Sequence, residues 1–214
     1  MKKKITSVLS LIVALVLILS LTGCGEQKKF IGTWETTIDM SDFLNKSFDE
    51  DPEMADYLEV DDFSLVIKMT FNDDGTCRMF ADEDQSEEAF EDVKKDLKKG
   101  FTEYFEDYIA ASGLLLSVDE VLEDTGVDMD SLVEEAFGDD VFSGIMDGFA
   151  SEGTFEVKNG KLFRSASLDT AIDENVYETY EISDNSLTLL ASFGDDSVDA
   201  EEMNLYPLIF TKVN

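Results

Sequence analysis

Residues 63–81 read FSLVIKMTF-NDDG-TCRMFA, and this stretch sets the fold class. Phe63, Leu65, Ile67, Met69 and Phe71 occupy alternate positions, with Ser64, Lys68 and Thr70 among those between. Successive side chains of a strand point to opposite faces, so this period of two predicts a strand with one buried face. Asn72 to Gly75 supplies a turn, because Gly and Asn tolerate left-handed backbone. Thr76–Ala81 then returns as a second strand, with Cys77 alternating with Met79 on its apolar side.

The same reading extends in both directions. Upstream, Ile31–Met40 (IGTWETTIDM) is rich in β-branched and aromatic residues and predicts a strand. A polar stretch follows, in which Asp51-Pro52-Glu53 predicts a short helix over Glu53–Leu58. Downstream the period changes at Asp84, where Asp84-Gln85-Ser86-Glu87 matches a capping arrangement. Phe90, Val93, Leu97, Phe101, Tyr104, Phe105, Tyr108 and Ile109 then recur three and four apart, as on one face of a long helix. Ser117-Val118-Asp119-Glu120 caps a second helix, and two short ones are expected near Asp130–Phe137 and Asp140–Phe149. The strand period resumes after Gly153. Thr154–Lys158 and Lys161–Leu168 flank Asn159-Gly160, a strong hairpin signal. Asn175–Ile182 and Ser186–Ser192 flank a second turn, Asp195–Met203 is an acidic loop, and Leu205–Val213 is a last strand. Eight strands are expected, three before a helical block at 84–152 and five after it.

The N-terminus carries its own signal. Lys2, Lys3 and Lys4 precede a stretch from Ile5 to Leu21 that is apolar except for Thr6, Ser7, Ser10 and Ser20. Small residues and Cys24 follow, the marks of a secretory signal peptide. Leu21-Thr22-Gly23-Cys24 resembles the lipobox of bacterial lipoproteins. That resemblance implies cleavage of residues 1–23, a diacylglyceryl thioether (and palmitate-type acylation) on Cys24, and a lipidated tether over 24–30. The other reading is an uncleaved anchor, whose seventeen residues sit at the lower limit of the ~17–25 needed to span hydrocarbon. Both place the chain on the extracytoplasmic face of a cell membrane.

Composition narrows the function. From Cys24 onward, 49 acidic residues face 13 basic ones, a net charge of −36. Such a surface repels phosphate backbones, so nucleic acid is not an expected partner, and it repels anionic headgroups, which leaves the lipid as the membrane hold. With 43% hydrophobic residues, 16 Phe and only 2 Pro, the chain is nonetheless expected to fold. Histidine is absent, which excludes a Ser-His-Asp triad, a Cys-His dyad and a His-ligated zinc site. With Cys24 acylated, Cys77 has no disulfide partner and reads as a core residue. Ser117–Phe137 has the cadence of a helix-turn-helix, but offers Asp128, Asp130, Glu134 and Glu135 where DNA requires basic or amide side chains. No frame around Asp124–Glu135 satisfies a calcium loop. No metal, cofactor or enzymatic activity is expected.

Gly32-Thr33-Trp34, followed by eight short antiparallel strands, resembles the lipocalin-like (calycin) barrels over Ile31–Glu83 and Gly153–Asn214. The resemblance implies a mainly β fold with an α insertion: an eight-stranded antiparallel barrel, residues 31–214, interrupted by the helical block between strands three and four. It also implies that Trp34 seals one barrel end and that Lys212 crosses it. Two functions remain open. In one, the lumen, including Leu65, Ile67 and Met69, holds a small apolar ligand beneath a lid formed by Phe101, Tyr104 and Phe105. In the other, the lumen is filled, the stripe packs with the other helices, and the acidic block meets another envelope protein.

Overall fold

The computed structural model describes residues 25–49, 52–194 and 206–213. Cys24, the signal segment and the acidic loop at 195–203 lie outside the described residues. Eight antiparallel strands form a closed barrel in chain order: β1 (Gly32–Asp39), β2 (Ser64–Phe71), β3 (Thr76–Ala81), β4 (Ser151–Lys158), β5 (Lys161–Arg164), β6 (Tyr177–Ile182), β7 (Ser186–Phe193) and β8 (Leu208–Val213). β8 closes on β1 with Trp34 opposite Lys212. The helices are α1 (Ser41–Phe48), α2 (Glu83–Ser112), α3 (Val118–Thr125), α4 (Met129–Phe137) and α5 (Asp139–Gly148), the last four lying between β3 and β4. A helical segment at residues 25–30 precedes β1.

The alternation in residues 63–71 is realised position by position: Phe63, Leu65, Ile67, Met69 and Phe71 are all buried. Asn159 and Gly160 both adopt positive φ, as their hairpin requires. β7 carries a bulge, since Thr179 pairs with Ala191 and Tyr180 with Leu189, leaving Leu190 as the extra residue.

Three boundaries differ from expectation. Residues 52–57 are a run of turns rather than a helix. The helix of this region is instead α1, within the stretch read as polar. It has no side-chain cap; Asp39 accepts from the Ser41 amide and hydroxyl at 2.9 and 2.6 Å, and distant partners complete the hold. Asn45 donates to the Val60 carbonyl at 3.0 Å and accepts from the Val60 amide at 2.8 Å, and the Phe63 amide donates to Ser41 Oγ at 2.8 Å. α2 starts early because Asp82, not Asp84, is its cap, accepting from the Gln85 amide. β5 ends at Arg164 because the Ser165 hydroxyl accepts from the Thr154 amide and donates to the Ser167 carbonyl, turning the chain.

Contacts divide the chain into two compact units, whose boundaries pass through β1, β2 and β3. The first takes the described residues of Met1–Thr36, Lys68–Met79 and Ser151–Asn214. Its core joins Phe30, Trp34, Met69, Phe71, Phe155 and Phe210 with Cys77, Val157, Leu162, Leu187 and Leu189. Edge-to-face ring pairs tie Phe30 to Phe71 and to Tyr180, with centroids 5.3 and 4.8 Å apart. Bulky rings thus fill the interior of this unit, as side chains can in a barrel of eight strands.

The second unit is Thr37–Ile67 with Phe80–Ala150. Its core contains Phe63, Phe90, Val93, Leu97, Val133, Phe137 and Phe142. Phe90 stacks on Phe142 at 4.2 Å. Ser117 and Glu120 form a reciprocal capping box on α3, and Asp128 caps α4. Gly126, left-handed at φ 74°, makes the turn between them. Among the described residues no helix is long and apolar enough to cross a membrane.

Candidate functional site

α2 spans 30 residues, about 45 Å, and its apolar stripe is covered unevenly. Phe90, Val93 and Leu97 are fully buried, and Ile109 is buried near the far end. Phe101, Tyr104 and Phe105 are only half-buried, and Tyr108 is 58% exposed. A helix normally turns such a stripe to the core; here its C-terminal half lines a groove of about 340 Å³. Met54, Leu132, Ala136 and Glu135 complete the lining, so all of it belongs to the second unit. Glu135 is its one charged residue.

Beside the groove, α2 is held closely against the 52–57 turns. Gly100, inside α2, lets the helix approach the 52–57 turns: a Cβ there would run into the Tyr57 carbonyl and lie 2.9 Å from Leu58 Cδ2. That close approach explains why a glycine sits mid-helix, where it costs ~1 kcal/mol in propensity. Tyr57 packs edge-on against Tyr104 at 5.4 Å, and its hydroxyl donates to Asp107 at 3.1 Å. The Asp107 carboxylate raises the Tyr57 phenol above its ordinary value. Met54, whose carbonyl accepts from the Tyr57 amide at 2.9 Å, lies in the same turns.

Charge is distributed unequally around it. The second unit holds 32 acidic and 5 basic residues, a net charge of −27. Its lysines are concentrated on α2 upstream of the groove, where Lys94 pairs with Glu134 (3.0 Å), Lys95 with Asp92 (2.6 Å) and Lys98 with Asp130 (2.5 Å). From Gly100 to Ala150 there are 14 acidic residues and no basic one. A second depression, of about 360 Å³ at the α3–α4 joint, is lined in part by Asp119, Glu123 and Asp128.

The first unit holds a different feature, one the sequence reading missed. Arg164 Nε and Nη2 donate to the two carboxylate oxygens of Glu178, each at 2.9 Å, and the Tyr206 hydroxyl donates to Glu178 at 3.1 Å. Glu178 is buried opposite Leu162. The Glu178 charge holds the Arg164 guanidinium above its ordinary range, and burial pushes the Tyr206 phenol up. The available signal was the polarity of Arg164, two positions beyond Leu162 on the same strand face. Cys77 lies within electrostatic reach of Arg164, but burial pushes its thiol up, which disfavours the nucleophilic thiolate.

The remaining anticipated residues are placed as follows. Leu65, Ile67 and Met69 are buried along β2. Trp34 is fully buried, its indole Nε1 donates to the Phe30 carbonyl at 2.6 Å, and the Lys212 ammonium lies 4.8 Å from its ring centroid. Gly32, at φ 128°, gives the Lys212 side chain room, since a Cβ there would sit 2.8 Å from its Cε. Among the described residues no group of three or more His, Cys, Asp or Glu is arranged to hold a metal ion. Comparison with family models, with curated proteins and with solved structures finds no match.

Proposed function

We propose that the chain is a lipid-anchored protein of the extracytoplasmic membrane face whose acidic helical unit binds another protein through the α2 groove. The observation that carries this is the half-buried set Phe101, Tyr104 and Phe105, which lines a preformed groove instead of the unit's core. Apolar helix faces left open beside a second helix are a recurring mode of partner recognition. The filled interior of the first unit favours a scaffold role over a ligand-holding lumen. The Trp34–Lys212 contact supports reading that scaffold as lipocalin-like.

A photo-crosslinking residue at Ala136, exposed in the groove lining, is expected to trap a discrete adduct in cells. The same residue at Glu181, exposed on β6, is expected to trap none. Equal yields at both positions would defeat the groove reading. Anchoring has its own measurement. Cys24→Ser is expected to abolish incorporation of a fatty-acid probe and to leave the leader uncleaved. Undiminished labelling of that variant would remove lipidation from the proposal.

A further inference from the structure

Resting on the groove reading above, we infer that the occupant is a cationic amphipathic helix of a partner protein, with two or three apolar anchors flanked by Lys or Arg. Three observations on the molecule lead there. The first is shape: at about 340 Å³ the groove lies at the bottom of the ~300–1,000 Å³ range of small-molecule sites, and its half-exposed walls suit side chains presented at i, i+3, i+4 and i+7 by a helix lying along it. The second is the lining, apolar except for Glu135. A carboxylate among aromatic rings favours a cation at that point, both by direct pairing and by cation–π contact.

The third is the surrounding field. The groove lies in the segment Gly100–Ala150, with 14 acidic residues and no basic one. Lys94 and Lys98 offset two of these, Glu134 and Asp130, Lys95 pairs with Asp92, and Lys99 is exposed at the border of the segment, so twelve carboxylates of the segment stand against one bordering lysine. Glu103, Glu106 and Asp107 are exposed on the α2 turns that carry Tyr104 and Phe105. Clustered charge of one sign steers partners of the opposite sign and repels its own. A second copy of this chain would bring another unit of −27 against the first, and an acidic helix would meet the same barrier. The apolar lining selects for an apolar face, and the rim selects for positive flanks.

The test uses the lipidated protein in phosphatidylcholine nanodiscs, with empty nanodiscs as reference, and fluorescent peptides of about 14 residues, ~21 Å of helix. One is a leucine–lysine amphipathic helix. The second replaces each lysine by glutamate, and the third rearranges the lysine peptide so that no apolar face forms. The first is expected to bind at least tenfold tighter than either of the others. Phe105→Ala and Glu135→Lys are each expected to weaken it about tenfold, the scale of an interface anchor, while Glu181→Lys leaves it unchanged. Retained circular dichroism and cooperative melting accompany each variant, and Glu135→Lys, at an exposed site, does not depend on core packing. Equal binding of the glutamate peptide, with Phe105→Ala still weakening both, overturns the cationic assignment and leaves the groove intact as a site. Indifference to Phe105→Ala and Glu135→Lys overturns the groove itself and leaves only diffuse attraction to an acidic surface. Failure of the lysine helix to bind overturns the inference, as does a native mass showing a dimer lost in Phe105→Ala.

Discussion

Glu178→Ala is expected to lower the unfolding free energy by about 3 kcal/mol, the lower end of the cost of stranding one partner of a buried ion pair, because the Arg164 side chain stays 25% exposed. The two parallel hydrogen bonds from Arg164 and the third from Tyr206 converge on one carboxylate. Removing it leaves a part-buried guanidinium and phenol without that acceptor. The pair as a whole contributes far less than the loss of one partner costs, because Glu178 was desolvated almost fully and Arg164 largely to form it. Arg164→Met combined with Glu178→Leu is therefore expected to recover most of the loss. Urea unfolding of the three proteins measures this directly. A cost below about 1 kcal/mol for Glu178→Ala would mean that water replaces the lost carboxylate at the part-exposed Arg164 guanidinium.

Trp34→Ala is expected to cost a similar amount, about 3–5 kcal/mol, from the loss of a large buried ring and the cavity left behind. Trp34 has no exposed surface and belongs to the core with Phe30 and Phe210. Its indole also satisfies the Phe30 carbonyl and faces the Lys212 ammonium. Trp34→Phe retains much of the volume but not the indole donor, so an intermediate loss of ~1–3 kcal/mol is expected. Because this is the chain's one tryptophan, unfolding of both variants is followed by circular dichroism. A Trp34→Phe variant as damaged as Trp34→Ala would show that the donor, not the ring volume, matters there.

The parts of the fold legible in the sequence are those fixed by local chemistry. Alternation specified β2, Asn159-Gly160 specified the β4–β5 hairpin, and Ser117 with Glu120 specified the start of α3. What escaped is held by contacts distant in sequence. α1 has only weak local signals, Asp42 in its first turn, Lys46 in its last and Asp39 accepting from Ser41, and no side-chain cap; its Asn45 and Ser41 find further partners at Val60 and Phe63, which SDFLNKSF alone does not show. The Arg164–Glu178 pair joins positions 14 apart on neighbouring strands, and its register depends on a strand end set by Ser165. At the groove, the aromatic stripe was legible residue by residue. Its incomplete burial was not, because periodicity gives the direction of a face but not how much of it the other helices cover.

The missing cations also determine how this molecule meets proteases. Between Lys99 and Lys158 the chain offers no bond to an enzyme that cuts after Lys or Arg. The second half of α2, all of α3 to α5 and β4 would leave such a digest as one uncut strip, whether folded or not. Enzymes that cut after Glu or Asp find sites throughout the same strip, at Glu103, Glu106 and Asp107 beside the groove and at Glu135 within it. Cleavage by that second class thus reports whether the groove is open or occupied, whereas trypsin leaves the entire region silent.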